Sequence, residues 1–323
     1  MGDGYSRREL LTLAGAGAPD AASGAAGGAA PVGQSRVGLA RVVVPPDGGS
    51  LAPALARDAL ERALVAATGA TPASAAVRRL FKPSDVVGIK LNCLGGPRMS
   101  PRPVLVEALA SMLGEAGLAS DRIIVFERSS RELQRTGFLL RRSGGAFLCY
   151  GIDNDFDREP SVQGAIGSCF ARLVSTTCTA LVSFGVVKDH DLAGVSAGMK
   201  NWYGVIHNPN KYHDGNCDPY VADVMAHPFL RQKVRLTVLD GVVAQCHGGP
   251  AFRPDATWPL GLVAASADPV AIDAWAWKVL DAERVRRGLP SLVEAKRSPR
   301  FLATAARYGL GVGDPLAIRE VTS

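Results

Sequence analysis

The sequence predicts an α/β protein with a mostly parallel sheet, built from βαβ units with helices on both faces. Short apolar runs alternate along the chain with stretches of helical periodicity, which is the pattern of strands joined by helical crossovers. Of the 323 residues, 47% are hydrophobic but only 6% are aromatic. The core is therefore expected to consist of Ala, Val, Leu and Ile packed between layers.

Five elements are expected in the first half of the chain. The apolar run 37–44 predicts a strand that ends at two prolines, and 55–67 has the spacing of an amphipathic helix followed by glycine. The mostly apolar segment 85–92 (DVVGIKLN) is typical of a strand covered on both faces. A helix is expected at 101–117, with proline in its first turn. The segment 122–127 (RIIVFE) returns as a strand and completes a βαβ unit.

Five further elements are expected in the second half. Apolar runs predict strands at 146–150, 179–187, 234–239 and 258–265. A helix is predicted at 268–280, because an aspartate suited to an N-cap is followed by proline at the first helical position. No internal repeat interrupts this order, so residues 36–323 are expected to form a single α/β domain whose second half could contain a subdomain.

The amino terminus has the features of an export signal. The segment Ser6–Leu11 (SRRELL) matches the twin-arginine pattern and precedes a short apolar stretch, so residues 1–35 are expected to be a Tat-type leader. A plain Ala/Gly leader is the alternative. Passage through the Tat translocon would give a periplasmic or other extracytoplasmic protein. The apolar stretch is shorter than the roughly 20 residues that span a bilayer, so an integral membrane protein is not expected.

Charge and cysteine content exclude some functions. The formal net charge is +6, but Lys and Arg form no long basic run interleaved with aromatic residues, so nucleic-acid binding is not expected. Six cysteines occur without CxxC or similarly tight spacing, so the chain carries no iron–sulfur motif of its own. Most of them are expected to be small buried side chains, although an exported protein could pair some as disulfides.

The strongest local signal is a cluster of histidines. All five histidines lie between residues 190 and 247, and His190, His207 and His213 flank one glycine-rich stretch, KDHDLAGVSAGMKNWYGVIHNPNKYHDGN. Two or three histidines beside two lysines and a glycine-rich turn indicate a site rather than separate structural residues. Lys188 directly follows a predicted strand, at the edge of the sheet where ligands bind.

The glycine-rich stretch could bind an anion. Gly194, Ser196 and Gly198 would let backbone amides approach a phosphate or carboxylate at the start of a helix that holds Lys200. The stretch is not a P-loop, because its glycines are one residue too close and Asn201 stands where a magnesium-binding Ser or Thr is needed.

Three lysines are candidate anchors for an acidic ligand. Lys90, Lys188 and Lys200 could bind charge, or a buried one could be an amine with a lowered pKa. Lys90 is the least suited to reach solvent, since it lies within an apolar strand, and Asn92 follows it at the end of that strand. Four aspartates could support the histidines or a cation, unless caps and turns explain them: Asp223, Asp240, Asp268 and Asp273.

Several segments carry a family resemblance. VGIKLN (87–92), VVKDHDLAGVSAGMKNWYG (186–204) and ADPVAIDAW (267–275) resemble the domain-of-unknown-function family three-six-two. The resemblance covers nearly the whole mature chain and implies an α/β fold and frequent Tat export, but no reaction. Some members add a ferredoxin-like cluster motif that this chain lacks.

A more distant similarity concerns the nickel-pincer lactate racemases. The spacing from His190 through Lys200 to His213 is similar to their site segment. The similarity implies a proton-transfer base at His190, a covalent tether for the pincer cofactor at Lys200, and a nickel ligand at His213, with His207 as the competitor. Those racemases have a second catalytic histidine after the strand that matches 122–127, and this chain has none there. Two-base racemisation is therefore not expected.

The leading hypothesis is an exported enzyme, an oxidoreductase or isomerase, that moves a proton or hydride on a small acidic substrate. It would use a transition metal or a nickel-pincer-like cofactor, with His190 and Lys188 as catalytic residues and His213 or His207 on the metal. The expected cleft is lined by Lys90, Asn92, Lys188, His190, Lys200, Asn201 and His213. The alternatives are a non-catalytic exported receptor or carrier for a small anionic molecule, and a redox partner of an iron–sulfur protein.

Overall fold

A mixed β-sheet forms the centre of the computed structural model, which describes residues 35–45, 48 and 50–323. In this part of the chain the strands are β1 (Arg36–Arg41), β2 (Val87–Leu91), β3 (Ile123–Glu127), β4 (Leu148–Gly151), β5 (Ser161–Gln163), β6 (Ile166–Ser168), β7 (Ala180–His190), β8 (Gly194–Ser196), β9 (Val234–Gln245), β10 (Thr257–Trp258), β11 (Leu262–Ser266) and β12 (Arg319–Thr322). The α-helices are α1 (Pro53–Thr68), α2 (Ala73–Leu80), α3 (Pro103–Glu115), α4 (Ser130–Arg135), α5 (Tyr220–Ala226), α6 (Pro228–Arg231), α7 (Pro269–Arg286) and α8 (Phe301–Arg307).

The sheet order confirms the predicted α/β fold. Its path is β12-β1-β11-β9-β7-β2-β3-β4, while β8 and β10 pair with β7 and β9 outside that path. The neighbours from β9 to β4 run parallel, whereas β11 is antiparallel to both β9 and β1. The sheet is therefore mostly parallel on the side of β2 and β3 and mixed on the other. Strands β5 and β6 form a separate antiparallel pair.

Helices cover both faces of the sheet, because alternate strand residues point to opposite sides. On β3, Ile123 and Val125 enter the core that packs under α1 and α3, while Ile124 and Phe126 enter the core on the opposite face. Helix α7 contributes Val270 to that second core. Strands buried on both faces read as continuous apolar runs, which is why the sequence revealed them.

Several element boundaries differ from the prediction. Strand β7 continues past 187 to His190, because β8 pairs with it antiparallel. Strand β9 runs on to Gln245, and helix α7 to Arg286. The single strand predicted at 258–265 is two strands, β10 and β11, and the break contains Gly261 in a left-handed conformation (φ 68°).

The predicted leader cannot be compared with the structure, because the twin-arginine segment Ser6–Leu11 lies outside the described residues. The described residues all belong to one compact unit. Among them, no helix combines the length and the apolar character that a bilayer crossing requires.

Candidate functional site

A cleft of about 880 Å³ opens at the carboxyl ends of β2, β3 and β7. Parallel strands bring their carboxyl ends to one edge of a sheet, so residues distant in sequence meet there. The lining includes six of the seven predicted residues: Lys90, Asn92, His190, Lys200, Asn201 and His213. The seventh, Lys188, lies fully buried behind the lining, and its ammonium donates to Asn92 Oδ1 at 3.3 Å.

The structure brings His190, Lys200 and His213 together, as the sequence predicts. The ring centroids of His190 and His213 are 5.8 Å apart, with planes inclined by 25°. Lys200 Nζ lies 3.1 Å from His213 Nε2. The β7–β8 hairpin places His190, and two 3₁₀ helices, Lys200–Val205 and Pro209–Tyr212, return the chain to it.

Backbone hydrogen bonds determine which nitrogen of His190 carries the proton. His190 Nδ1 accepts the backbone N–H groups of Leu192 and Ala193, each at 3.2 Å, so the neutral ring carries its proton on Nε2. Burial and then the charge of Lys200 lower the pKa of His190 to about 3. The ring therefore offers the cleft an Nε2–H donor at neutral pH. This differs from the proton-transfer base that the racemase similarity implies, since a base needs a free lone pair.

Lys200 is a buried amine without a carboxylate partner among the described residues. The residue is 7% exposed, and its Nζ lies 3.6 Å from the centroid of the Tyr203 ring. No ion pair in the described part of the chain includes it. Burial lowers the pKa of Lys200 to about 8. A substantial fraction of this amine is consequently uncharged just above neutral pH.

His213 faces this amine with a lone pair. Burial and then the charge of Lys200 lower its pKa, against hydrogen bonds to the backbone at Asn210 and Pro209. Because an ammonium has no lone pair, His213 Nε2 is the acceptor whenever Lys200 is charged, and the neutral ring then carries its proton on Nδ1.

The described residues offer no ready-made metal site. Among them, no group of three or more His, Cys, Asp and Glu side chains could hold a metal ion. His207 lines the cleft but is exposed, and its ring packs edge-on against Phe156 at 5.3 Å between centroids. The predicted ligands His213 and His207 thus gain no third partner from the described chain, although Zn²⁺ and similar ions need at least three protein ligands.

Lys90 and Asn201 line the cleft, but their polar groups are used within the protein. Lys90 Nζ donates to Glu127 Oε1 at 2.7 Å, to the Leu91 carbonyl at 2.6 Å and to Asn201 Oδ1 at 3.2 Å. An ammonium has three protons, so none is left for a ligand. Asn201 Nδ2 donates in turn to the Lys90 carbonyl and to Ser183 Oγ. The two residues join β2 to the segment after β8.

The predicted anion site at Gly194, Ser196 and Gly198 requires a correction. Residues 194–196 are strand β8, not a loop before a helix, and Ser196 contributes to the cleft through its side chain. The amides of Gly198 and Met199 donate to the two carboxylate oxygens of Asp273, at 2.7 and 3.0 Å. The acceptor that these two amides bind is therefore a carboxyl side chain of α7, and the amides are not available to a ligand.

The other three candidate aspartates also have structural partners. Asp240 forms an ion pair with Arg102 at 2.5 Å. Asp223 accepts from the amide of Ala165 and the hydroxyl of Tyr308. Asp268 accepts the amides of the first turn of α7, which confirms the predicted N-cap.

Sequence reasoning missed one acidic residue of the cleft. Glu127 ends the predicted strand 122–127, whereas Glu132, in the first turn of α4, belongs to no motif that the sequence indicates. Both line the cleft. Burial and then the neighbouring charge of Glu127 raise the pKa of Glu132 to about 7. A glutamate shortly after a strand end was the available signal, but it does not differ from a solvated helix residue.

The fold and the cleft define an α/β protein with a candidate ligand site at the carboxyl edge of its parallel strands. Comparison with protein families then shows the family to which the chain belongs. The family described as Domain of unknown function (DUF362) matches residues 87–278, more than half of the chain, and the chain belongs to it. That range includes β2, β3, β7 and the whole segment 188–213.

Two other comparisons add little to this assignment. A crystal structure of a protein from Thermotoga maritima is similar over 66% of this chain and 55% of its own, with 12% identity and a TM-score of 0.39. The chain thus spans about half the length of that protein. No curated protein matches the chain.

Proposed function

We propose that this protein is an enzyme that binds a small acidic molecule in the cleft and forms a covalent bond between Lys200 and a carbonyl carbon. The observation that carries this proposal is the Lys200 amine itself. It is buried, has no carboxylate partner among the described residues, and lies 3.1 Å from the lone pair of His213 Nε2. A desolvated lysine of this kind is the usual nucleophile toward a carbonyl group.

The lowered pKa makes this chemistry feasible near neutral pH. Only the uncharged amine attacks a carbonyl carbon, and an ordinary lysine is uncharged to about 0.04% at pH 7. With a pKa of about 8, Lys200 is uncharged to about 10% under the same conditions. The uncharged, reactive fraction of Lys200 is thereby roughly two orders of magnitude larger than that of an ordinary lysine.

An acidic ligand suits the charges of a group that we call the basic wall. Three of its members line the cleft, His190, Lys200 and His213, and Lys188 is buried behind them. Neither lysine forms an ion pair with a carboxylate in the described part of the chain. His190 adds an Nε2–H donor. A carboxylate on the ligand would supply the missing opposite charge, and the donor would bind the carbonyl oxygen of the same molecule.

The predicted metal-organic cofactor is compatible with this proposal in one form. A metal held by side chains alone does not fit the described residues, since three ligands do not come together. An organic cofactor that brings its own metal donors needs fewer groups from the protein. Lys200 would tether it covalently, and His213 would offer the nearest imidazole nitrogen.

Reductive trapping tests the proposal. The folded protein is incubated with glyoxylate and cyanoborohydride, and peptide masses report which lysines are alkylated. We expect Lys200 to react at least ~10-fold faster than the exposed Lys211, which lines the same cleft and serves as the internal control. Lys200→Arg should abolish the fast reaction, and Lys211→Arg should not.

The same experiment separates the enzyme from a receptor. A receptor or carrier would bind glyoxylate or a related anion without preferential labelling of Lys200. Tight binding with equal labelling of Lys200 and Lys211 would therefore contradict the proposal. The mass of natively purified protein adds a second readout. A tethered cofactor would increase the mass of the intact protein, and the same increase would be found in the peptide that contains Lys200.

We also infer export of the protein through the Tat pathway, from the twin-arginine segment Ser6–Leu11. We expect the chain in the periplasmic fraction, and replacement of both Arg7 and Arg8 by Lys should retain it in the cytoplasm. Equal distribution of the wild type and this double variant would contradict export.

A further inference from the structure

The lining of the cleft also contains two carboxyl groups and one lysine, which we call the acidic wall: Lys90, Glu127 and Glu132. Glu127 is 4% exposed, and its Oε1 accepts from Lys90 Nζ at 2.7 Å. Its Oε2 accepts the backbone N–H of Arg128, and its carboxyl group forms a side-chain hydrogen bond with that of Glu132. The two carboxyl groups are thus in direct contact.

The charges of this group do not balance if both carboxyl groups are ionised. Lys90 forms an ion pair with Glu127, while Glu132 forms none with any Lys or Arg of the described residues. Two adjacent carboxylates with one neighbouring ammonium leave an excess negative charge in a poorly solvated place. Such a pair keeps one proton between its oxygens, because two like charges in contact cannot both persist at low cost.

The surrounding cations offset this excess charge only in part, because in the described part of the chain neither Arg128 nor Lys188 forms an ion pair with either carboxyl group. The titratable and charged groups that act on the pair come from three strands and the loops after them: Lys90, Cys93, Arg128 and Lys188. Burial raises the pKa of the Cys93 thiol to about 12, so this group stays neutral. The pKa of Glu127 is lowered overall: burial opposes its ionisation, but Lys90 and hydrogen bonds favour it. Glu132 is therefore the partner that holds the proton, with a pKa raised to about 7.

Glu132 is also the member of the pair with access to a ligand. Both line the cleft, but Glu127 is 4% exposed and bonded to Lys90, whereas Glu132, on helix α4, is half-buried. An acid with one oxygen in a buried hydrogen bond and the other near the cleft can exchange a proton with a bound molecule.

We propose that Glu127 and Glu132 share one proton and that Glu132 delivers it to the molecule bound in the cleft, as the acid–base residue of the site. This role rests on the proposed function at Lys200. The C–N bond forms when Lys200 Nζ attacks the carbonyl carbon, which gives a carbinolamine. The carbinolamine C–O bond then breaks, the oxygen takes the proton of Glu132 and leaves as water, and an iminium ion and the Glu132 carboxylate remain. Hydrolysis of the iminium returns the proton to Glu132.

The shared proton can be measured without any reaction at Lys200. Carboxyl carbons of ¹³C-glutamate-labelled protein are titrated by NMR in the wild type, in Glu132→Gln and in Glu107→Gln. Glu107 is an exposed glutamate on α3 and is the matched control. We expect one carboxyl group that titrates near pH 7 in the wild type and in Glu107→Gln, and its loss in Glu132→Gln. If every glutamate of the wild type titrates below about pH 5.5, the shared proton is ruled out.

Proton delivery is measured by the rate of glyoxylate trapping at Lys200 as a function of pH. Loss of a general acid should slow trapping by about 100-fold in Glu132→Gln and remove the fall in rate that the wild type shows as Glu132 ionises. Glu107→Gln should behave as the wild type. An unchanged rate and pH profile in Glu132→Gln, with its unfolding midpoint also unchanged, would overturn proton delivery while the proposed role of Lys200 stands.

The two proposals fail in distinguishable ways. If the wild type shows no preferential trapping at Lys200, the proposed function fails and proton delivery fails with it. The shared proton is then still decided by the NMR titration alone, because that measurement needs no ligand.

Discussion

The acidic wall and the basic wall of the cleft hold buried lysines in different surroundings. On the acidic wall, Lys90 donates to Glu127 at 2.7 Å and to two further oxygens. On the basic wall, Lys200 meets the Nε2 of His213 at 3.1 Å and the face of Tyr203, with no carboxylate from the described residues. Both lysines are at least nine-tenths buried.

We infer from this difference that Lys90 stabilises the fold and propose that Lys200 binds a ligand. Burying an ammonium costs several kcal/mol, and a close carboxylate with further hydrogen bonds offsets that cost. Lys90 has these partners, so its burial is compatible with a stable fold and needs no ligand. Lys200 has only partial compensation, so its burial weakens the fold unless a bound anion or an uncharged amine removes the cost. Sites with this kind of uncompensated burial are frequently functional.

The largest expected effect comes from removing each ammonium in turn. Lys90→Met leaves the Glu127 carboxylate buried without its partner and should lower the free energy of unfolding by about 3–5 kcal/mol. Lys200→Met removes an ammonium that has no carboxylate and should change it by less than about 1 kcal/mol, or increase it. Urea unfolding at pH 7 measures both. An equal decrease in the free energy of unfolding of the two variants would mean that Lys90 and Lys200 contribute equally to stability, which contradicts the comparison.

The pH dependence of stability sharpens the comparison. Burial lowers the pKa of Lys200 from 10.5 to about 8, so between these values the unfolded chain binds more protons than the folded one. Stability should therefore rise with pH in this window, by at most about 1.4 kcal/mol per pH unit, and be independent of this group below it. The difference in unfolding free energy between wild type and Lys200→Met, measured from about pH 7 to 10, isolates this contribution. A difference that stays constant or falls over this range would contradict the lowered pKa.

The smallest effect concerns the hydrogen bond between Lys200 and His213. The imidazole lone pair stabilises the charged amine, so His213→Phe, which keeps a flat ring but lacks the acceptor, should lower the pKa of Lys200 by about one unit. The pH profile of amine labelling reports this shift. Tyr203→Phe is the matched control, because it keeps the ring beneath Nζ and should leave the profile in place. An upward shift in His213→Phe would show that His213 does not accept this hydrogen bond.

Much of the fold could be predicted, because parallel strands that are buried on both faces have continuous apolar sequences. The convergence of His190, Lys200 and His213 could also be predicted, since they flank one short segment at the end of a strand. Their protonation states could not. The neutral ring of His190 depends on two amides that face Nδ1 only after the chain turns back into β8.

Long-range partners explain the remaining errors. Asp273 occupies the amides of Gly198 and Met199, but it belongs to α7, and no local pattern connects the two segments. Glu127 meets Lys90 because β2 and β3 pair in parallel with Lys90 opposite Phe126, a register that spacing does not reveal. The pKa of Glu132 is raised by burial and by the charge of Glu127, and the sequence alone does not show that these two residues are neighbours.

The pKa of Lys200 in the folded protein tests the central claim most directly. Competitive acetylation with a limiting amount of acetic anhydride, followed by peptide mass analysis across a pH series, gives this value for Lys200 and for the exposed Lys211 in one sample. We predict half-maximal reactivity of Lys200 at about pH 8. A titration of Lys200 near the ordinary lysine value of about 10.4 would contradict the account.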